Sequence, residues 1–119
     1  MAIDTTYRVC PETGLKVFSQ TEKLIKANAV VAIVFLAIGG LFGLLVALTR
    51  WQAVHILPAE MFYLALTAHG ADVLLFWILF FEIAILYFAS SILLNSRLAT
   101  PQFAWLGFIL MLVGALMAN

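Results

Sequence analysis

The stretch Leu66, Thr67, Ala68, His69, Gly70, Ala71, Asp72 sets an imidazole and a carboxylate three residues apart at the start of the longest apolar run in the chain. On a helix that spacing puts both groups on one face. Over residues 62–94 Glu82 is the only other side chain that titrates near neutral pH. Ionisable groups are expensive in hydrocarbon, so in an apolar helix they mark function by default. An imidazole there can ligate a metal, or it can simply hydrogen-bond a neighbouring helix.

The solvent these groups meet follows from composition. The chain has 119 residues, 66% hydrophobic and 10% charged, against about half and a quarter in soluble domains. With a mean hydropathy of +1.14 it reads as an integral membrane protein. Six basic and six acidic residues cancel, which gives no reason to expect a nucleic-acid partner. A single cysteine, Cys10, excludes an internal disulfide and lacks companions for a zinc site.

Three apolar runs must position the pair. Residues 1–26 carry Asp4, Arg8, Glu12, Lys16, Glu22, Lys23 and Lys26, with Pro11 and Gly14 as breakers, and read as a polar tail with an interfacial helix from Leu15 onward. The following run is too long for a signal peptide and shows no small-residue cleavage site, so the tail is read as mature protein. Residues 27–48 lack charge and are long enough to cross a bilayer, which takes about 20 apolar residues. Within them Gly39 and Gly43 have the small-xxx-small spacing that lets a neighbouring helix approach, a packing groove rather than a ligand site. Arg50 and Trp51 mark an interface, His55 a solvated position, and Pro58 the entry to the next helix.

Residues 62–94 would make roughly 50 Å of helix, which must protrude or tilt. Asn95, Ser96, Arg97, Thr100 and Pro101 end it, and residues 101–118 give a third span. Arg8, Lys16, Lys23 and Lys26 precede the first span and only Arg50 follows it, which places the N-terminus in the cytoplasm and His69 toward the external side. The fold class expected is therefore all-α, with three transmembrane helices in the inner (plasma) membrane.

At 100° per residue, His69, Asp72, Phe76, Phe80, Ile83 and Tyr87 fall in a narrow arc. A haem docked on that arc would take an axial nitrogen from His69 and ring contacts from Phe76 and Phe80, while Gly70 leaves room for the macrocycle. The second ring nitrogen of such a ligand is usually hydrogen-bonded, here by Asp72 or by a backbone carbonyl. Asp72 is equally suited to a structural contact with Arg50 or His69. Glu82 points about 140° away and roughly 20 Å along the axis, and suits a proton path or an ion pair with a partner helix.

The run Leu66, Thr67, Ala68, His69, Gly70, with the long apolar helix after it, the turn holding Asn95 and Pro101, and a further helix, resembles the start of the haem-copper oxidase catalytic subunit, subunit I. The wording is closest to B-type members, whose first helix the run Gly40, Leu41, Phe42, Gly43 also fits, and the spacing resembles the nitric oxide reductase large subunit too. The resemblance implies that His69 is an axial ligand of a low-spin haem. That subunit has about twelve helices. Its second axial histidine, its high-spin haem ligand and its copper histidines lie beyond the three helices present here, and Asp72 and Glu82 match no family position.

The resemblance therefore implies a split subunit whose partner chain supplies the rest of the bundle and the copper, so this chain is expected to hold no catalytic residue of its own. A non-catalytic accessory subunit of an oxidase or nitric oxide reductase complex is the alternative. A small proton-coupled transporter built on Glu82 is a third.

Overall fold

The computed structural model describes residues 6–119; the first five residues of the expected tail, Asp4 among them, lie outside this range. The rest of the tail opens with a small antiparallel hairpin, not a helix from Leu15. Tyr7–Val9 (β1) pairs with Lys16–Phe18 (β2), Tyr7 opposite Phe18 and Val9 opposite Lys16. Between them the chain turns at Cys10, whose carbonyl accepts from the Gly14 amide at 2.8 Å, with Gly14 at φ +67°. Pro11 and Gly14 flanked by apolar alternation carry that turn signal in the sequence.

Three helices come after the hairpin. Ser19–Arg50 forms α1, Ala59–Leu93 forms α2 and Pro101–Ala118 forms α3, and all three are long and apolar enough to span a membrane. The first starts within the expected tail because β2 runs straight into it. Arg8 of β1 then grips Glu22 of its first turn through two nitrogens, at 3.1 and 3.2 Å, and Lys26 binds the same carboxylate at 2.7 Å. Glu22 holds the Arg8 guanidinium above its ordinary range, through the hydrogen bond first and its charge second.

The helix ends follow local chemistry. His55 (φ 37°) approaches the Thr49 carbonyl through Nδ1 at 3.1 Å, satisfying an acceptor at the end of α1. Asn95 adopts φ 50° where α2 stops, a left-handed position that asparagine tolerates. Pro101 opens α3, where its missing N–H has no helical partner to lose.

Helices α1 and α2 run antiparallel and share a long seam. From α1 it takes Leu24, Asn28, Ala32, Phe35 and Gly39; from α2 it takes Asp72, Phe76, Phe80 and Ala84. At its centre Phe35 lies 5.2 Å from Phe76 and is stacked at 5.8 Å on Phe80. Phe108 meets Phe80 edge-on at 6.0 Å, and Ala115 closes the cluster from α3.

The seam on α2 recurs every four residues, more than the 3.6 of an α-helix. Two π-helical turns, Asp72–Phe76 and Phe88–Leu93, absorb the difference. They shift the buried face, so that Ala84, Ser91 and Ile92 are enclosed where an unbroken α-helical arc would have led to Ile83 and Tyr87.

The unit measures 58 × 32 × 16 Å, too thin to enclose its own apolar surface. Leu74 is 74% exposed and Met117 82%, and Ala115 is the only buried residue of α3. Helices apolar on every side suit lipid or further helices.

Candidate functional site

His69 lies in the first half of α2, half-buried against α1. Its Nδ1 is 2.7 Å from the carbonyl oxygen of Gly39. A carbonyl only accepts, so Nδ1 carries the proton, and in the neutral ring Nε2 keeps its lone pair. The ring reaches that carbonyl because α1 has no side chain in the way. A Cβ on Gly43 would sit 2.7 Å from His69 Cε1 and 2.8 Å from Nδ1. The groove expected from Gly39 and Gly43 is thus present, and an imidazole fills its upper part.

Asp72 fills the lower part. It is wholly buried, and a Cβ on Gly39 would stand 2.7 Å from Asp72 Cβ and 2.7 Å from Val73 Cγ2. Its partner is neither Arg50 nor His69. Oδ1 accepts from Asn119 Nδ2 at 2.5 Å, whereas Oδ2 has no partner among the described residues. Of the two orienting groups considered for the imidazole, the structure supplies the backbone carbonyl.

The remaining candidates separate. Gly70 leaves open space, with nothing within 4 Å of a Cβ built on it. Phe76 and Phe80 lie on the His69 side of α2 as the arc required, yet they pack on Phe35 of α1 and are 8% and 0% exposed. Thr67 turns back to its own helix, donating to the Tyr63 carbonyl at 2.9 Å. Glu82 is exposed on the other side of α2, with no ion pair among the described residues.

A haem-ligating histidine needs one free ring nitrogen and room beside it. The site answers with an imidazole fixed through Nδ1, a free Nε2 and an uncrowded Gly70 next to it. Among the described residues no three of His, Cys, Asp and Glu are grouped so that they could hold a metal ion. Two of the partners found here are invisible to sequence reading. Asn119 offers no pattern to find it by, and the Gly39 carbonyl belongs to backbone, which sequence never displays.

No curated protein and no solved structure matches the chain at a significant level. The family model for cytochrome c and quinol oxidase polypeptide I matches residues 23–119, which take in nearly all of α1 and the whole of α2 and α3. With that match over most of its length, the chain belongs to the cytochrome c and quinol oxidase polypeptide I family, the haem-copper oxidase subunit I.

Proposed function

We propose that this chain supplies one axial ligand, His69 Nε2, to a low-spin haem in a respiratory terminal oxidase. The observation that carries the reading is the Nδ1 contact to Gly39 O at 2.7 Å. It fixes the tautomer and the ring orientation, as second-shell partners of metal-bound histidines do. Gly39 and Gly43 admit the ring, Gly70 leaves the adjoining surface free for a planar group, and Phe76 and Phe80 hold α2 in register on α1 beneath it. When bound, the haem iron would supply one-electron transfer.

The family membership makes this an inner-membrane protein that works within an oxidase complex. On the reading proposed, its N-terminus faces the cytoplasm. On the family's pattern the second axial ligand and the oxygen-reducing haem-copper centre lie outside these 119 residues.

The test is the low-spin haem spectrum of the complex purified with the His69→Ala chain. Loss of about one low-spin haem per complex is expected; unchanged content would rule out ligation by His69. The close packing of Phe76 and Phe80 on α1 favours a second reading, a non-catalytic accessory subunit whose three helices clamp the complex. That reading requires both axial histidines in the partner chain and an unaltered spectrum for His69→Ala.

A further inference from the structure

Two carboxylates lie inside the apolar runs, and the fold treats them differently. Asp72 is enclosed and held by Asn119, whereas Glu82 is left on the outside. Glu82 stands on the α-helical segment between the two π-turns of α2, two residues from both Phe80 and Ala84 of the seam. At 100° per residue that puts it on the opposite side of the helix. One turn to either side of it Ile78, Leu79, Ile85 and Leu86 are exposed as well, which makes an apolar band with a carboxylate at its centre.

No cation of the described residues meets it. Every lysine and arginine lies outside residues 27–48, 62–94 and 101–118, and Arg8 and Lys26 are engaged with Glu22. The level of Glu82 in the layer follows from its neighbours on α2. Ile83 and Tyr87 share with Asn28 the wall of a cavity of about 250 Å³, and Phe80 stacks on Phe35. Glu82 therefore stands level with α1 between Asn28 and Phe35, within the charge-free run of that helix. Side chains lean toward the N-terminus of their own helix, which for α2 is the His69 end, so Glu82 leans deeper into the apolar layer and away from the level of Lys26.

We propose that the Glu82 face of α2 docks a transmembrane helix from outside these 119 residues, one that presents a lysine or arginine to the Glu82 carboxylate. Lipid tails are excluded as the cover, because hydrocarbon brings neither charge nor donor to a carboxylate. A second copy of the chain is excluded by symmetry, since a two-fold contact over this face would set Glu82 against Glu82, like charge on like. A basic side chain supplies opposite charge and N–H donors together, and Ile78, Leu79, Ile85 and Leu86 give the docking helix a surface to pack on. The chain's own α3 is not that helix, because Phe108 packs edge-on against Phe80, on the seam side of α2.

Photocrosslinking of the assembled complex in native membranes tests the surface, with a benzophenone amino acid placed at Ile78 or at Leu86. The expected adduct is a transmembrane peptide with a lysine or arginine within one helical turn of the crosslinked position. Glu82→Lys should then lower co-purification of that polypeptide about tenfold or more, as the loss of a desolvated charge partner does. Exchanging the mapped basic residue for glutamate in the same complex should restore it. That rescue separates a lost pair from a misfolded chain.

Adducts with lipid alone would overturn the proposal by showing the face open to the bilayer, and adducts with a second copy of the chain would overturn it in favour of self-association. A crosslinked peptide without a basic residue would overturn the charge pairing. Unchanged co-purification of the Glu82→Lys chain, or a charge exchange that restores nothing, would do the same. None of these readouts depends on haem at His69.

Discussion

At the far end of the α1–α2 seam, an imidazole and a carboxylate sit against glycines, and each finds a partner. His69 bonds to the Gly39 carbonyl, and Asp72 accepts from Asn119. Toward the hairpin, the same seam buries Thr21, Asn28 and Ser91; among the described residues one side-chain oxygen of each lacks a partner, as Asp72 Oδ2 also does, but none of these three side chains bonds across to another helix. The difference lies in what faces them. Glycine bares a carbonyl at contact distance, whereas the hairpin half presents side-chain surface and a cavity. Glycine spacing thus does more than let helices approach, because it makes one backbone available as a partner to the next.

The two halves are joined at the aromatic cluster that divides them, and the largest effect is expected there. Phe80→Ala removes a ring with no exposed surface and should cost about 3–5 kcal/mol, read from unfolding in mixed detergent. A loss below about 1 kcal/mol would mean that the halves are not joined through this cluster.

Neighbouring glycines sharpen the contrast. Gly39→Ala drives a Cβ into Asp72 and Val73 and should destabilise by about 1–3 kcal/mol through overpacking, with a fall in low-spin haem. Gly40→Ala meets nothing within 4 Å and should be neutral, or stabilising by at most about 1 kcal/mol from helix propensity. Equal effects at the two positions would mean that the groove is not what seats Asp72 against α1.

A smaller loss is expected for Asn119→Ala, which leaves both oxygens of buried Asp72 unpartnered and should cost about 1–2 kcal/mol. Asn28→Leu should stay within about 1 kcal/mol of the parent, since it loses one neutral Nδ2 bond to the Leu24 carbonyl of its own helix while removing a buried Oδ1 that lacks a partner among the described residues. If the two variants proved equally damaging in thermal unfolding, the distinction between the halves would fail.

The smallest effect lies in the hairpin. The Thr13 hydroxyl, followed by the Thr13 and Glu12 backbone, lowers the Cys10 thiol to about 7. The thiolate is the nucleophile, so the iodoacetamide rate should rise with pH and reach its half-maximum near pH 7. Thr13→Val should move that midpoint up toward the free-cysteine value of about 8.5. A midpoint at the free value in both chains would show that the turn does not hold the thiolate.

Length and apolarity alone determined the three spans, because a bilayer fixes how much apolar helix a crossing needs. They also singled out His69, since an imidazole in such a run stands out against its neighbours, and the spacing of Gly39 and Gly43 announced a close approach. Periodicity placed Phe76 and Phe80 on the His69 side but left open what covers them, because a 3.6-residue repeat shows which residues share a face and not what meets it.

Only the tertiary structure decided the rest. It set Phe35 over the two rings, moved the lower seam from Ile83 and Tyr87 to Ala84 and Ser91 through π-turns, and chose a carbonyl rather than Asp72 as the partner of the imidazole. It also tied Asp72 to Asn119 and left Asn28 facing a cavity. The physical reason is common to all of these. Each depends on which atoms of distant segments come within hydrogen-bond or van der Waals range, and a linear pattern carries no such distances.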